Sequence, residues 1–293
     1  MVIEAFLERL EYREPVRADV VTLRGLHRAW RLRVPYENID IQLARPVLLT
    51  PDALVDKFAR RERGGLCYEM NGALALLLRA VGFTVTIVEA AVLRATRGEG
   101  QWGNHIALLV DVEGQRWLAD TGIGDAFLEP LPLREGTHRQ GRLAYRMERL
   151  DTGTWRVHHH PEGTVSSYDF RTAPRELAEY ATRATDKPAD SPFVRVLVAQ
   201  HHRDDHELAL RARTITRTGP RGTDQRALST LDEFAAALTE FRIPLDDIDP
   251  EHLAMLWEKT GHQHEAWLPS DSRPRAPEQG NRCSTPPTTG PSR

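Results

Sequence analysis

The segment 72–81 constrains the fold more than any other part of the sequence. It reads Gly-Ala-Leu-Ala-Leu-Leu-Leu-Arg-Ala-Val and is followed by Gly82. Ala and Leu favour an α-helix, and glycine is common just past a helix end. Because a helix that is apolar on nearly all sides is buried, the segment predicts a central helix. A chain of 293 residues is long enough to build a sizeable core around it.

The hydrophobic period changes after Gly82. Apolar residues before it recur at helical spacing, whereas several segments after it are rich in Val, Ile and Thr and predict strands. The predicted helices are 23–32, 51–60, 72–81, 171–180, 231–241 and 250–258. The predicted strands are 84–93, 105–112, 115–120, 142–148, 154–160, 165–170, 194–200 and 208–215. The order indicates an α+β protein whose middle third is a barrel or sandwich.

Charge and composition exclude several classes of function. With 39 basic and 42 acidic residues, the net charge of −3 argues against nucleic-acid binding through bulk electrostatics. No run of 18 apolar residues could cross a membrane, and the N-terminus lacks the features of a signal peptide. We therefore expect a cytoplasmic protein with no nucleic-acid or membrane partner. Residues 268–293 contain almost no apolar side chains, which predicts a disordered tail.

Cysteine and histidine content argues against a metal site. The two cysteines, Cys67 and Cys283, cannot form a disulfide framework or a four-thiolate zinc site. The consecutive His158, His159 and His160 alternate between the two faces of a predicted strand, so they cannot converge on one ion.

Cys67 is the candidate nucleophile. It follows Gly64 and Gly65 and opens the apolar helix. A helix N-terminus carries a partial positive charge and unpaired N–H groups, which favour a thiolate and can hold an oxyanion. The alternative is a buried structural cysteine, which is common.

His105 and Asp120 are the candidate base and its partner. If Glu113 and Gly114 form a two-residue turn, residue 107 pairs with Asp120. His105 then lies diagonal to Asp120 on the same face, within reach of longer side chains. A structural His–Asp pair is the alternative, but a nearby Cys67 favours a Cys–His–Asp triad.

Several ordered segments resemble the arylamine N-acetyltransferases. Residues 63–71, Arg-Gly-Gly-Leu-Cys-Tyr-Glu-Met-Asn, resemble the family signature Arg-Gly-Gly-x-Cys-x-Glu-x-Asn. Residues 118–124, Leu-Ala-Asp-Thr-Gly-Ile-Gly, resemble the aspartate motif Val-Asp-Val-Gly-Phe-Gly. Further segments that resemble family motifs are 26–27, 34–40, 104–105 and 190–194.

The resemblance implies a three-part fold with a cysteine-protease-like core. Its parts would be an N-terminal helical bundle (1–83), a central β-barrel (84–185) and a C-terminal α/β lid (186–267). It also implies ping-pong chemistry: acetyl-CoA, as co-substrate, acylates Cys67, and an aromatic amine or hydrazine takes the acyl group. His105 would move the proton and Asp120 would orient His105. No permanently bound cofactor is implied, and a homodimer is possible.

The same resemblance suggests substrate-binding residues. The family's aspartate loop lines the acceptor pocket, which points to Thr121, Gly122, Ile123 and Gly124. Thr121 and Ile123 replace the usual Val and aromatic residue, so they bear on acceptor preference. Trp102 and Gly103 lie in a glycine-rich loop just before His105 and are candidates for the border of the cleft.

Other functions remain open at this level. Relatives of the family are amide synthases that close a carrier-bound polyketide onto an aryl amine, so an acyl carrier protein could replace CoA as donor. A transglutaminase-like cysteine hydrolase and a non-enzymatic binding protein are further alternatives. For the polar residues around the nucleophile, we expect Glu37 to be structural and Glu69 to pair with an arginine such as Arg63.

Overall fold

The structure is a computed structural model that describes residues 2–267. The segment 268–293, predicted to be disordered, and Cys283 within it lie outside the described residues. Within the described part of the chain, no helix is both long enough and apolar enough to cross a membrane.

The N-terminal part is helical, as the periodicity predicts. Asp19 accepts a hydrogen bond from the Thr22 N–H at 2.7 Å and so caps the second helix. That helix ends at Arg33, before Pro35. The elements of this part are α1 (Val2–Arg9), α2 (Val20–Arg33), β1 (Tyr36–Glu37), α3 (Ile39–Gln42), α4 (Pro51–Val55) with a π-helical continuation (Asp56–Arg60), and α5 (Cys67–Val81).

Helix α5 lies at the centre of this part, which confirms the prediction from its apolar sequence. Leu74, Leu77 and Leu78 are fully buried in a core cluster with Trp30. The helix ends at a glycine in the left-handed region, with φ +111° at position 82, where residues with a Cβ are disfavoured.

The middle part is an eight-stranded antiparallel sheet with the order β5-β4-β3-β2-β9-β8-β7-β6. Its elements are β2 (Thr84–Val92), α6 (Arg94–Arg97), a 3₁₀ turn (Glu99–Gln101), β3 (His105–Val112), β4 (Gln115–Ala119), β5 (Leu131–Pro132), β6 (Gly136–Gln140), β7 (Leu143–Arg149), β8 (Thr154–His158) and β9 (Ser167–Arg175). The two edge strands, β5 and β6, are joined by residues 133–135 only, so the sheet curls into a nearly closed barrel. Its interior is a separate apolar cluster that includes Leu109, Leu118 and Phe170.

The helix predicted at 171–180 is wrong over its first half. Strand β9 continues to Arg175 and pairs with β2 across an irregular register, and only Leu177–Tyr180 forms a 3₁₀ turn. A long-range strand partner has therefore overridden the local pattern. The polar strand β6 was not predicted, because its side chains are mostly exposed and carry no apolar alternation.

The third part combines helices with a five-stranded antiparallel sheet of order β1-β10-β11-β12-β13. Its elements are α7 (Ala181–Thr185), α8 (Pro192–Arg195), β10 (Val198–His202), β11 (Glu207–Arg211), β12 (Thr214–Gly219), β13 (Gly222–Ala227), α9 (Leu231–Glu240), a 3₁₀ turn (Leu245–Asp247) and α10 (Pro250–Trp267). The single strand predicted at 208–215 is split by a turn at Ala212, whose φ is +50°. Strand β1 comes from the N-terminal part and pairs with β10. The architecture confirms the predicted fold class, an α+β chain with N-terminal helices, a barrel and an α/β C-terminal part.

A buried cluster of charges joins the N-terminal and third parts. Arg63 is fully buried and donates to Glu37 Oε1 at 2.7 Å and to Asp247 Oδ2 at 2.5 Å. The expected pairing of Glu69 with Arg63 is wrong, because Glu69 binds Lys57 Nζ at 2.6 Å instead. Arg63 thus holds the 3₁₀ turn of the third part against the segment that carries β1.

We predict that Arg63→Met destabilises the protein strongly, by about 3–5 kcal/mol, because removal of one partner leaves buried carboxylates unpaired. The matched control is Arg61→Met. Arg61 also binds Asp247, but its side chain is 40% exposed, and exposed pairs contribute about 1 kcal/mol or less. Urea unfolding followed by circular dichroism measures both, and equal losses in the two variants would contradict the role assigned to Arg63.

Candidate active site

Cys67 is the first residue of α5 and is 5% exposed. Gly64 lies so close to the backbone of Pro35 that a Cβ on it would stand 2.0 Å from the Pro35 carbonyl oxygen. Only glycine fits at position 64, because any side chain there would collide with the Pro35 backbone. This close packing fixes the path of the chain as it enters α5. The Cys67 Sγ lies 3.9 Å from the carbonyl oxygen of Asn104. Asn104 is the residue that immediately precedes His105 in the chain.

The hairpin β3–β4 places His105 and Asp120 as the register argument predicts. Glu113 and Gly114 both have positive φ, +51° and +72°, as a two-residue hairpin turn requires. Val112 pairs with Gln115, and the ladder continues without a shift. The His105 Nε2 lies 2.8 Å from Asp120 Oδ2, and both residues are buried.

The charge at the site is carried mainly by the pair of His105 and Asp120. Burial lowers the pKa of His105, but the Asp120 carboxylate and a hydrogen bond with Cys67 raise it to about 10. Burial raises the pKa of Asp120, but the His105 charge and hydrogen bonds from Asn71 and the Gly122 N–H hold it below its ordinary value. With its pKa well above neutrality, His105 is set to be an imidazolium at neutral pH.

Asn71 lies one helical turn after Cys67 on the same face of α5. Its Nδ2 donates to Asp120 Oδ1 at 2.9 Å and to the Ile106 carbonyl at 2.6 Å, and its Oδ1 accepts from the Thr121 N–H at 2.8 Å. The side chain thus fixes Asp120 relative to the thiol-bearing helix. The sequence marks Asn71 as part of the signature, but sequence reasoning assigned it no function.

Two polar residues of α2 hold the loop that follows Asp120, and sequence reasoning missed both roles. Burial lowers the pKa of His27 to about 4, so it is neutral, and its Nε2 accepts from the Asp120 N–H at 3.2 Å. Arg31 is 2% exposed and is surrounded by backbone carbonyls. It donates to the carbonyl oxygens of Thr121 (3.2 Å), Ile123 (2.8 Å), Gly124 (2.8 Å) and Ala126 (3.3 Å). The sequence does contain a signal for these roles: a histidine and an arginine stand four residues apart on a helix face that is otherwise mostly apolar.

The loop 121–124 lies against Cys67 at one point. A Cβ on Gly122 would stand 2.8 Å from the Cβ of Cys67, so this glycine backbone packs directly on the cysteine. Thr121 is fully buried, and Ile123 packs into the barrel core. Gly124 packs against Gln200 of β10. Among the suggested substrate-binding residues in this loop, Gly122 is in contact with Cys67.

Trp102 and Gly103 directly precede Asn104, whose carbonyl oxygen lies 3.9 Å from the Cys67 Sγ. The Gly103 carbonyl oxygen accepts a hydrogen bond from the Tyr68 hydroxyl at 2.6 Å. The Trp102 ring is covered by the guanidinium of Arg171, 3.9 Å from the ring centroid. Gly103 is therefore held by the side chain that follows Cys67 in α5, whereas the Trp102 ring packs against Arg171.

The three consecutive histidines do not share a partner. His158 binds Glu148 at 2.6 Å, His160 lies 3.2 Å from the Asp125 carbonyl, and the His159 ring is tilted by 39° against that of His160, with centroids 4.8 Å apart. Residues 2–267 contain no group of three or more His, Cys, Asp or Glu side chains that could hold a metal ion.

Comparison with known proteins places this geometry in a family. The N-acetyltransferase family model matches residues 19–249, well over half of the chain. An arylamine N-acetyltransferase from Mycolicibacterium smegmatis is 30% identical over 267 residues, 85% of this chain and 94% of that protein. The chain belongs to the arylamine N-acetyltransferase family.

Other family members match over different shares of their length. The arylamine N-acetyltransferase / N-hydroxyarylamine O-acetyltransferase of Salmonella typhimurium is 32% identical over 184 residues, which spans 61% of this chain and 64% of that protein. The crystal structure of a variant M. smegmatis N-arylamine acetyltransferase superposes with a TM-score of 0.81 at 27% identity, over 88% of this chain and 98% of that one. The Mycobacterium marinum arylamine N-acetyltransferase in complex with CoA gives 0.80 at 25% identity, with the same coverage of both chains.

We predict that Asp120→Asn makes His105 neutral at pH 7. In the wild type, the folded-state pKa of about 10 exceeds the ordinary 6.5. The imidazolium's stabilisation is therefore complete below pH 6.5 and lost as pH rises through 10. Without the carboxylate, burial dominates and the pKa falls below 6.5. An NMR titration of the His105 ring, assigned with His105→Gln, measures the shift.

Asp111→Asn is the matched control for this titration. Asp111 lies on the same hairpin but binds Arg116, and its side chain is 38% exposed. This change leaves the His105 titration in place. A wild-type His105 that titrates near 6.5, or an Asp120→Asn variant that keeps the wild-type curve, would show that the carboxylate does not control the imidazole.

Proposed function

We propose that the protein transfers an acetyl group from acetyl-CoA to the nitrogen of an aromatic amine or hydrazine through a thioester on Cys67. The observation that carries this proposal is the buried His105–Asp120 pair at 2.8 Å, placed beside a thiol whose Sγ lies 3.9 Å from the carbonyl oxygen of Asn104, the residue before His105. Membership of the arylamine N-acetyltransferase family supports the substrate class, and the M. marinum relative with bound CoA supports the donor.

In the first half-reaction, the charged His105 imidazolium favours the thiolate form of Cys67. The thiolate attacks the carbonyl carbon of acetyl-CoA and forms a tetrahedral oxyanion. Collapse of this intermediate breaks the bond between the carbonyl carbon and the CoA sulfur. The leaving CoA thiolate takes the proton of the imidazolium, so CoA departs as a thiol and His105 becomes neutral.

In the second half-reaction, the amine nitrogen attacks the acetyl carbon on Cys67. Neutral His105 takes a proton from the amine, and the bond between the carbonyl carbon and the Cys67 sulfur breaks. The product amide leaves, and the thiolate–imidazolium pair is restored. Asp120 stays ionised throughout and holds the ring orientation through its 2.8 Å contact with His105 Nε2.

The start of α5 supplies the electrostatic field for both oxyanions. The first N–H groups of a helix have no acceptor within the helix, and the helix dipole is positive at this end. Because Cys67 is the first residue of α5, a carbonyl bonded to its sulfur lies close to these donors. The neighbouring Leu66 N–H is already taken by the Glu69 carboxylate at 3.0 Å, which keeps the first turn rigid.

We predict that the purified protein incubated with acetyl-CoA gains the mass of one acetyl group. An aromatic amine then discharges this adduct, because acylation and transfer are separate half-reactions. Intact mass spectrometry detects both steps, and peptide mapping places the adduct on Cys67.

Matched cysteine variants sharpen this test. Cys67→Ala abolishes the adduct and the turnover, whereas Cys283→Ser, a change at the second cysteine, keeps both. Turnover that persists in Cys67→Ala would exclude the covalent mechanism. If acetyl-, propionyl- and malonyl-CoA all fail to acylate Cys67 and a carrier-protein thioester succeeds, the protein is the amide synthase described above and the CoA proposal is wrong.

A further inference from the structure

Thr121 is a fully buried residue whose hydroxyl binds a side chain of the candidate site. It follows Asp120 directly, and Arg31 holds its carbonyl oxygen at 3.2 Å. The Thr121 Oγ1 donates a hydrogen bond to Asn71 Oδ1 at 3.2 Å, and the Thr121 N–H donates to the same oxygen at 2.8 Å. The Thr121 side chain is therefore directed toward α5 and shielded from solvent.

These two bonds complete the hydrogen bonding of the Asn71 amide. A side-chain amide has two N–H donors and an oxygen that can accept two hydrogen bonds. The Asn71 Nδ2 donates to Asp120 Oδ1 at 2.9 Å and to the Ile106 carbonyl oxygen at 2.6 Å. With both Thr121 donors on Oδ1, all four positions are occupied. Because Nδ2 cannot accept a hydrogen bond, the Thr121 donors also fix which end of the amide faces Asp120.

The Thr121 hydroxyl begins a series of buried hydrogen bonds that ends on the imidazole. It binds Asn71, Asn71 binds Asp120, and Asp120 Oδ2 lies 2.8 Å from His105 Nε2. Hydrogen bonds in such a series polarise and strengthen one another. Removal of the hydroxyl would leave one lone pair of the buried Asn71 oxygen without a donor, which weakens the hold of the amide on the carboxylate.

The other ionisable groups around Asp120 come from α2, β3 and β9. His27 accepts a hydrogen bond from the Asp120 N–H, and His105 contacts the carboxylate. Arg31 and the Tyr168 hydroxyl interact with the Asp120 charge through space. A change confined to the hydroxyl at position 121 leaves all four of these groups in the protein, so its effect on the pair can be measured separately.

We propose that Thr121 is a positioning residue for the His105–Asp120 pair and acts through Asn71. Its hydroxyl holds the Asn71 amide in the orientation that donates to Asp120, which keeps the carboxylate aligned with the imidazole. The inference rests on the proposed function, because the pair serves the acylation of Cys67. In this assignment, Thr121 acts on proton transfer rather than on the choice of acceptor.

Thr121→Val tests the hydroxyl, because valine keeps the branched shape and lacks the donor. The readout is the pH profile of Cys67 alkylation by iodoacetamide in a Cys283→Ser background, which requires neither acetyl-CoA nor an amine. A carboxylate that is held less firmly stabilises the imidazolium less, so less thiolate forms at a given pH. We expect the midpoint of the profile to rise by about 0.7 pH unit, the fivefold change that corresponds to one buried hydrogen bond. Acetylation of Cys67 by acetyl-CoA slows by about the same factor.

Two further variants separate the hydroxyl from packing. Thr121→Ser keeps the hydroxyl and restores the wild-type midpoint. Thr260→Val is the matched control, because Thr260 of α10 is also fully buried and its Oγ1 donates to the Trp257 carbonyl oxygen at 2.9 Å. That change removes an equivalent hydrogen bond and leaves the midpoint at the wild-type value. Thr121→Ala takes the place of Thr121→Val if circular dichroism shows that the valine variant does not fold.

A double-mutant cycle with Asn71→Ala tests the route of the effect. If the hydroxyl acts through the Asn71 amide, Thr121→Val produces no further shift of the alkylation midpoint in the Asn71→Ala protein. Equal shifts in the two backgrounds would show that Thr121 reaches the His105–Asp120 pair by another route, and the inference would be overturned.

The outcomes separate this inference from the proposed function. If wild-type Cys67 reacts with iodoacetamide but not with acetyl-CoA, the proposed function fails. If acetyl-CoA acetylates Cys67 but Thr121→Val leaves the alkylation midpoint unchanged or lowers it, only the positioning role fails. If Thr121→Val keeps the midpoint and instead alters the relative rates at which different aromatic amines discharge the acetyl group, Thr121 serves acceptor choice and the inference is overturned.

Discussion

The hydrogen bonds of Asn71 are the constraint on which the rest of the site depends. They join α5, which carries the thiol, to the end of the β3–β4 hairpin, which carries His105 and Asp120. One face of the hairpin, including Ile106 and Leu108, packs in the same core cluster as α5, but apolar contact is non-directional and does not by itself define the positions of the polar groups. One amide with two donors and an acceptor supplies that positional definition, and it does so in a buried environment where unmade hydrogen bonds are costly.

Two buried arginines show two different uses of the same side chain. Arg63 is neutralised by carboxylates and holds the third part against the N-terminal part. Among the described residues, no carboxylate lies within ion-pair distance of Arg31. Its guanidinium instead donates hydrogen bonds to backbone carbonyls of the loop after Asp120. The first arrangement contributes cohesion between parts of the chain. The second determines the path of a loop, because a planar guanidinium binds several carbonyls only when they converge.

Much of the site was predictable because its signals are local. The period-two alternation of strands and the Glu113-Gly114 turn were sufficient to place His105 beside Asp120, and the glycine pair marked the start of α5. The role of Arg31 was not predictable, since its acceptors are carbonyls, which have no side-chain signature. The pairing of Glu69 and the extension of β9 through Arg175 depend on partners far away in sequence, which a local pattern does not report.

Strand β1 has a consequence for the order in which the molecule can form during synthesis. Tyr36 pairs with Gln200, and Gln200 also packs against Gly124 in the loop beside the thiol. The β3–β4 hairpin and α5 can meet once about 125 residues have emerged, yet the loop lacks its outer support until β10 leaves the ribosome. A nascent chain therefore passes through a stage in which Cys67 and His105 are already close together while the loop beside them is not yet supported. This stage ends only when β1 pairs with β10. That pairing closes a loop of more than one hundred residues, so it forms late.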